Sequence, residues 1–138
     1  MTIAAKRAAL AAAVATLTPD VPGLKVTEKV PDQINPPQAV VYRNTVVYDQ
    51  YEGAENGDLL NFAVMVYAGR ITENKGQELL DALVEPTGVT SMKVAVESNA
   101  ALRALCGWVL VQGAGPVMRT TVGTVDYLTV EFGVQIGD

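Results

Sequence analysis

Apolar and polar positions alternate most regularly near the end of the chain. Leu128, Val130, Phe132, Val134 and Ile136 alternate with Thr129, Glu131, Gly133 and Gln135. This period of two predicts a strand over 124–136 with one buried face. Residues 59–68 repeat the pattern. Leu60, Phe62, Val64, Val66 and Ala68 share one face, and Asn61, Ala63, Met65 and Tyr67 share the other. The first face belongs on a core. The mixed face suits partial cover by a helix or by another subunit. Shorter strands are predicted over Ala39–Tyr42, Val46–Tyr48, Trp108–Val111 and Val117–Val122, and Lys25–Val30 reads as a short extended piece. Asn44 marks a bend or a small hairpin between the first two. Gly113-Ala114-Gly115-Pro116 reads as a hairpin turn between the last two.

Elsewhere the period is helical. Ile3, Leu10, Val14 and Leu17 recur at spacings of seven, four and three, which places them on one stripe of an Ala-rich helix. Lys6 lies on the flank of that stripe, where its stem can cover apolar surface. Pro19 and Pro22-Gly23 stop the helix. Thr72 is an N-cap candidate, with Glu73 in the first turn and Leu79, Leu80, Leu83 and Val84 as the apolar stripe. Ser91 caps a second segment lined by Val94, Ala95, Ala101, Leu102 and Leu105, with Ser98-Asn99 as a point of interruption. The order helix, strands, helices, strands predicts an α+β fold. Its sheet is mainly antiparallel or mixed, with an N-terminal helix and two central helices on one face, in a single domain over residues 1–138.

Composition narrows the chemistry. The chain has 138 residues, no His and one Cys, and carries 10 Lys+Arg against 15 Asp+Glu for a formal charge of −5. Without His there is no Ser-His-Asp triad and no His-ligated metal, and one Cys makes no intramolecular disulfide. Cys106 lacks its usual catalytic base and reads as a small core residue. An acidic chain without Lys/Arg runs is a poor match for gripping DNA phosphates. No run of 18 apolar residues occurs, so no helical membrane span is expected. Residues 1–17 loosely match a secretory signal peptide, but their apolar run is mostly Ala, and the amphipathic helix is the reading adopted. Gly113-Ala114-Gly115 starts like a dinucleotide fingerprint, yet Pro116 follows and the third glycine is missing.

Three sets of residues stand out as surface features. Asp49, Glu52, Glu55 and Asp58 recur every three residues through one polar loop, at a spacing unlike a Ca²⁺-binding loop. Pro31, Asp32, Asn35, Pro36 and Pro37 belong to a stiff extended segment, either a connector or an arm that contacts a neighbour. Met65, Tyr67 and Glu131 lie on mixed strand faces, and Arg70 and Arg119 lie at strand ends, where they can meet acids of a neighbouring subunit. Trp108 and Tyr127 read as core or as interface anchors. No catalytic residue, cofactor or metal site is expected.

The whole pattern resembles the tail terminator (tail completion) proteins of long-tailed bacteriophages, particularly phages of actinobacteria. The likeness rests on the Ala-rich N-terminal helix followed by Pro22-Gly23-Leu24, and on Val30-Pro31-Asp32-Gln33-Ile34-Asn35-Pro36-Pro37 before Ala39-Val40-Val41. It rests also on the strand ending in Gly69-Arg70 before the helix around Gln77–Leu83, and on the closing strand from Val125-Asp126-Tyr127-Leu128 to Ile136. The resemblance implies a homo-oligomeric ring, usually a hexamer, at the head–tail junction of the virion, made in the host cytoplasm. Such a ring caps the tail tube, stops its polymerisation, meets the head-completion proteins and lets DNA pass without specific binding. It implies no catalysis, no cofactor and no membrane. Asp49, Glu52, Glu55 and Asp58 are then candidates for a lumen-facing or tube-facing loop. The alternatives are another neck or tail component, such as a head–tail connector or tail tube protein, a secreted ligand-binding module, and a small carboxylate enzyme.

Overall fold

A computed structural model describes residues 2–29, 33–48, 58–70 and 75–137, with backbone only at Arg70 and Lys75. The elements are α1 (Ile3–Ala15), β1 (Lys25–Thr27), β2 (Gln38–Val47), β3 (Leu59–Arg70), α2 (Lys75–Val84), α3 (Met92–Glu97), α4 (Ala100–Ala104), β4 (Trp108–Ala114), β5 (Met118–Val122) and β6 (Val125–Gly137). They form an α+β fold around a six-stranded sheet of order β1-β2-β3-β6-β4, with β5 also on β6. β1 runs parallel to β2, and the other pairs are antiparallel.

Local chemistry starts the helices, Ser91 as the sequence predicts and Thr2 and Asn99 beyond it, and α1 ends at Ala15, before the predicted stripe residue Leu17. The Thr2 hydroxyl accepts from the Ala5 N–H at 3.0 Å and caps α1. Gly23, at a φ of 80°, makes the left-handed turn that leads into β1. Ser91 accepts from the Val94 N–H at 3.2 Å, and Asn99 from the Leu102 N–H at 2.9 Å. Each cap satisfies an orphan donor of a short helix, and Asn99 divides the segment after Ser91 into α3 and α4. Thr72 and Glu73 lie outside the described residues.

One core joins the helices to a single face of the sheet. Leu10, Val14, Leu80, Leu83, Met92, Val96 and Leu102 from the helices meet Phe62, Val64, Val66, Val130, Phe132, Val134 and Ile136 from β3 and β6. The predicted stripes hold in part, with Leu79, Leu80, Leu83, Ala95 and Leu102 in or against the core. Val84 is exposed at the end of α2, and Val94 and Ala101 face outward while Met92 and Val96 are buried. The break at Ser98-Asn99 resets the helical phase, so one continuous stripe across it does not form. Lys6 is buried at 1% exposure rather than lying on a flank.

The β-signals also need two corrections. Asn44 makes neither a bend between strands nor a hairpin. β2 runs unbroken past it, and the pairing with β3 shifts register between Arg43 and Thr45, as a bulge does. Gly113–Pro116 is not a hairpin turn either. β4 and β5 lie along the same side of β6, and the Gly115 N–H donates to the Glu131 carbonyl at 2.9 Å. The chain from Trp108 to Val122 is one long bulged edge, and the hairpin falls later, at Gly123 with φ 65°. Pro116 lacks the N–H for a central ladder, which fits its place on an edge.

Candidate interaction surfaces

The second face of the sheet has no described helix over it. Gln38, Val40 and Tyr42 of β2, Ala63, Met65 and Tyr67 of β3, and Tyr127, Thr129, Glu131 and Gly133 of β6 share it, as the register requires. This is the mixed face of β3 that the sequence singles out, extended across the neighbouring strands. Its centre is a polar bridge. The Tyr42 hydroxyl donates to a Glu131 carboxylate oxygen at 2.7 Å, reaching across β3 between Ala63 and Met65. Burial, then the Glu131 bond and charge, push the Tyr42 phenol well above its ordinary value, so it stays a donor. Burial also raises the Tyr67 phenol. Beneath the bridge Ala63 is 1% exposed. A larger residue there would collide with the crossing side chains.

One end of this face is covered by the chain's own arm. The Asn35 N–H donates to Gln38 Oε1 at 2.8 Å, the Tyr127 hydroxyl donates to the Ile34 carbonyl at 3.4 Å, and the Lys25 N–H donates to the Pro37 carbonyl at 3.0 Å. Tyr67 and Tyr127 meet edge to face, with centroids 5.9 Å apart. Asn35 points outward, while Pro36 and Pro37 are half-buried. Pro31 and Asp32 lie outside the described residues.

The other end opens into a depression of about 570 Å³. Met65, Gln112, Met118, Thr120 and Glu131 wall it, and Gly113 and Gly133 lie directly opposite each other in the ladder, so no Cβ fills the space between them. Thr129 is 1% exposed, and its hydroxyl shares a 2.7 Å hydrogen bond with that of Thr120. A second groove, of about 680 Å³, runs between Ala8, Ala11, Ala12 and Ala15 of α1 and Val26–Lys29 beside the outer edge of β1.

The β4 edge is partly protected. Glu97 accepts from the outward-facing Val111 N–H at 2.8 Å and from Lys93 Nζ at 2.6 Å. Burial opposes ionisation of this carboxyl, but the Lys93 and Val111 hydrogen bonds and the Lys93 charge outweigh it and hold the group below its ordinary value. A carboxylate over an edge N–H discourages strand addition at that point. Apolar side chains still show along the rest of this edge: Trp108 is 39% exposed, Leu110 42% and Met118 55%.

The remaining candidates are scattered. Arg119 is exposed on β5 and shares the helix side of the sheet with its partner Leu128, away from Glu131. Arg70 closes β3 opposite Tyr127. Asp49, Glu52 and Glu55 lie outside the described residues, and Asp58 is half-buried just before β3. Cys106 is half-buried, and its thiol donates to the Leu102 carbonyl. Among the described residues no group of three metal-ligating side chains forms, and no helix is long and apolar enough to cross a membrane. Sequence reasoning missed Tyr42 as part of the polar bridge on this face, because its partner is 89 positions away. The glycine inside the last strand was the available signal for the depression, since an interior Gly often marks close approach of another group. No protein-family model matches this chain, and no curated protein matches it.

Proposed function

We propose that this chain is a structural phage protein that forms a ring, six copies in the simplest reading, at the head-proximal end of a tail tube. The ring stops tube polymerisation, joins the tube to the head-completion complex and lets DNA pass. The resemblance described above supplies the role. The observation that carries it to this chain is the sheet face opposite the helix layer, which no helix of the described residues covers. Each copy thus presents two unlike surfaces, which is what head-to-tail ring closure requires.

The charge suits a channel. Six copies at −5 each carry a formal charge of −30, which repels DNA phosphates and discourages adhesion during passage. The protein belongs at the head–tail junction of the virion, with the tail tube protein and a head-completion protein as neighbours, and it performs no catalysis.

The test is absolute mass by light scattering after size exclusion, followed by mixing with assembled tail tubes. A closed species near six times 14.6 kDa that binds tube ends and blocks their growth supports the proposal. Open-ended polymers point instead to a tube protein. A monomer at every concentration that also ignores tube ends refutes the ring.

A further inference from the structure

We infer that the depression floored by Gly113 and Gly133 seats an arginine side chain from a second copy of this chain, its guanidinium on Glu131 and its stem on the two methionines. This rests on the ring reading and names what one of the two surfaces takes.

The lining fits one long amphipathic cation. Met65 and Met118 offer flexible apolar walls, and the paired glycines leave the floor open. Glu131 stands at the wall with one carboxylate oxygen held by Tyr42. No basic side chain among the described residues forms an ion pair with it. The Tyr42 bond orients the carboxylate, so the other oxygen is presented to an incoming donor. A planar guanidinium matches such an oxygen with parallel N–H groups, and its aliphatic stem covers apolar wall.

The donors sit on the other surface. Every arginine whose side chain is described lies on the helix side of the sheet: Arg7 in α1, Arg103 in α4, Arg43 opposite Phe62 and Arg119 opposite Leu128. Arg43, Arg103 and Arg119 are exposed. Among residues whose side chains are described, the open face holds Glu131 and no arginine, and Arg70 ends β3 at a register position on this face, opposite Tyr127. The helix side also carries the exposed acids Glu78, Asp81 and Glu85, so packing it on the open face of the next copy satisfies Glu131 only where one of these arginines meets the depression. Packing two open faces symmetrically would oppose two carboxylates.

Gly133→Val is the first variant. The position has no left-handed φ, and an added Cβ meets only the Gln112 amide oxygen, at 3.6 Å. A β-branched residue suits a strand better than Gly. The melting temperature should equal or exceed that of the wild type, while light scattering shows loss of the ring. Glu131→Gln should fold normally and weaken association by about tenfold or more. Glu131→Lys should abolish association, and adding Arg43→Glu, Arg103→Glu or Arg119→Glu in the same chain should restore it for the arginine that docks. Rings that form undiminished in Gly133→Val and Glu131→Lys overturn the socket and leave the ring reading standing. A wild-type chain that stays monomeric in solution and also ignores tube ends overturns the ring and the second copy as occupant. Titration with N-acetyl-arginine methylamide then decides the socket alone: saturable shifts of the Gly113 and Gly133 amides support a basic side chain as its occupant, and unmoved amides overturn it.

Discussion

Replacing Tyr42 by phenylalanine keeps the aromatic ring and deletes one hydroxyl, so it isolates the bridge to Glu131. A hydrogen bond to a charged group contributes about 1.5–3 kcal/mol when water cannot replace it. Both side chains here are half-buried, so water recovers part of that, and about 1 kcal/mol is the expected loss. For a domain of this length such a loss lowers the melting temperature by about 3–5 °C. The pH dependence supplies the sharper test. The folded chain holds the Tyr42 phenol above its ordinary value of 10.0, while the unfolded chain ionises it there. The stabilisation is therefore complete below pH 10 and is lost as the pH climbs from 10 towards the folded value. The Tyr42→Phe variant has nothing to ionise at this position, and the other tyrosines cancel in the comparison. Thermal melts followed by circular dichroism at pH 7 to 11 should show wild type ahead at neutral pH and the gap closing above pH 10. Equal melting temperatures at pH 7, or a constant gap to pH 11, would refute the account of the bridge.

Three further outcomes are expected. Leu83→Ala removes a side chain with 0% exposure from the contact between α2 and the sheet, and urea unfolding should report a loss of about 2–5 kcal/mol. Glu97→Gln keeps an acceptor for Val111 but removes the charge. Because the folded carboxyl lies below its ordinary value of 4.5, wild type should be the more stable at neutral pH, by about 0.5–1 kcal/mol, and the difference should vanish in melts as the pH falls through the folded value. Replacing Asp49, Glu52, Glu55 and Asp58 by Asn and Gln should leave ring mass unchanged but impair tail joining or DNA delivery in an infectivity assay, and normal phage would sink the channel role of that loop.

The sequence by itself determined the fold class, the identity of the strands that carry the core, and the start of α3 at Ser91. These are local or short-period properties. Alternation along 59–68 and 124–136 is written residue by residue, and a cap such as Ser91 or Asn99 bonds three residues ahead. The sequence also marked the mixed face of β3 without saying what it meets. Tertiary structure decided the rest. A polar Asn at a bulge and a polar Asn at a turn look alike until the partner strand is in place, so Asn44 was legible only through its register with β3. Gly113–Pro116 became part of an edge because β6 is long enough to pair with both β4 and β5. In α3, Met92 and Val96, four residues apart, face inward in place of Val94, which shows only once the helix lies on the sheet. The Tyr42–Glu131 bridge and the glycine-floored depression join β2, β3, β6 and β4. No periodicity encodes such a meeting, because it depends on which strands become neighbours and in what register.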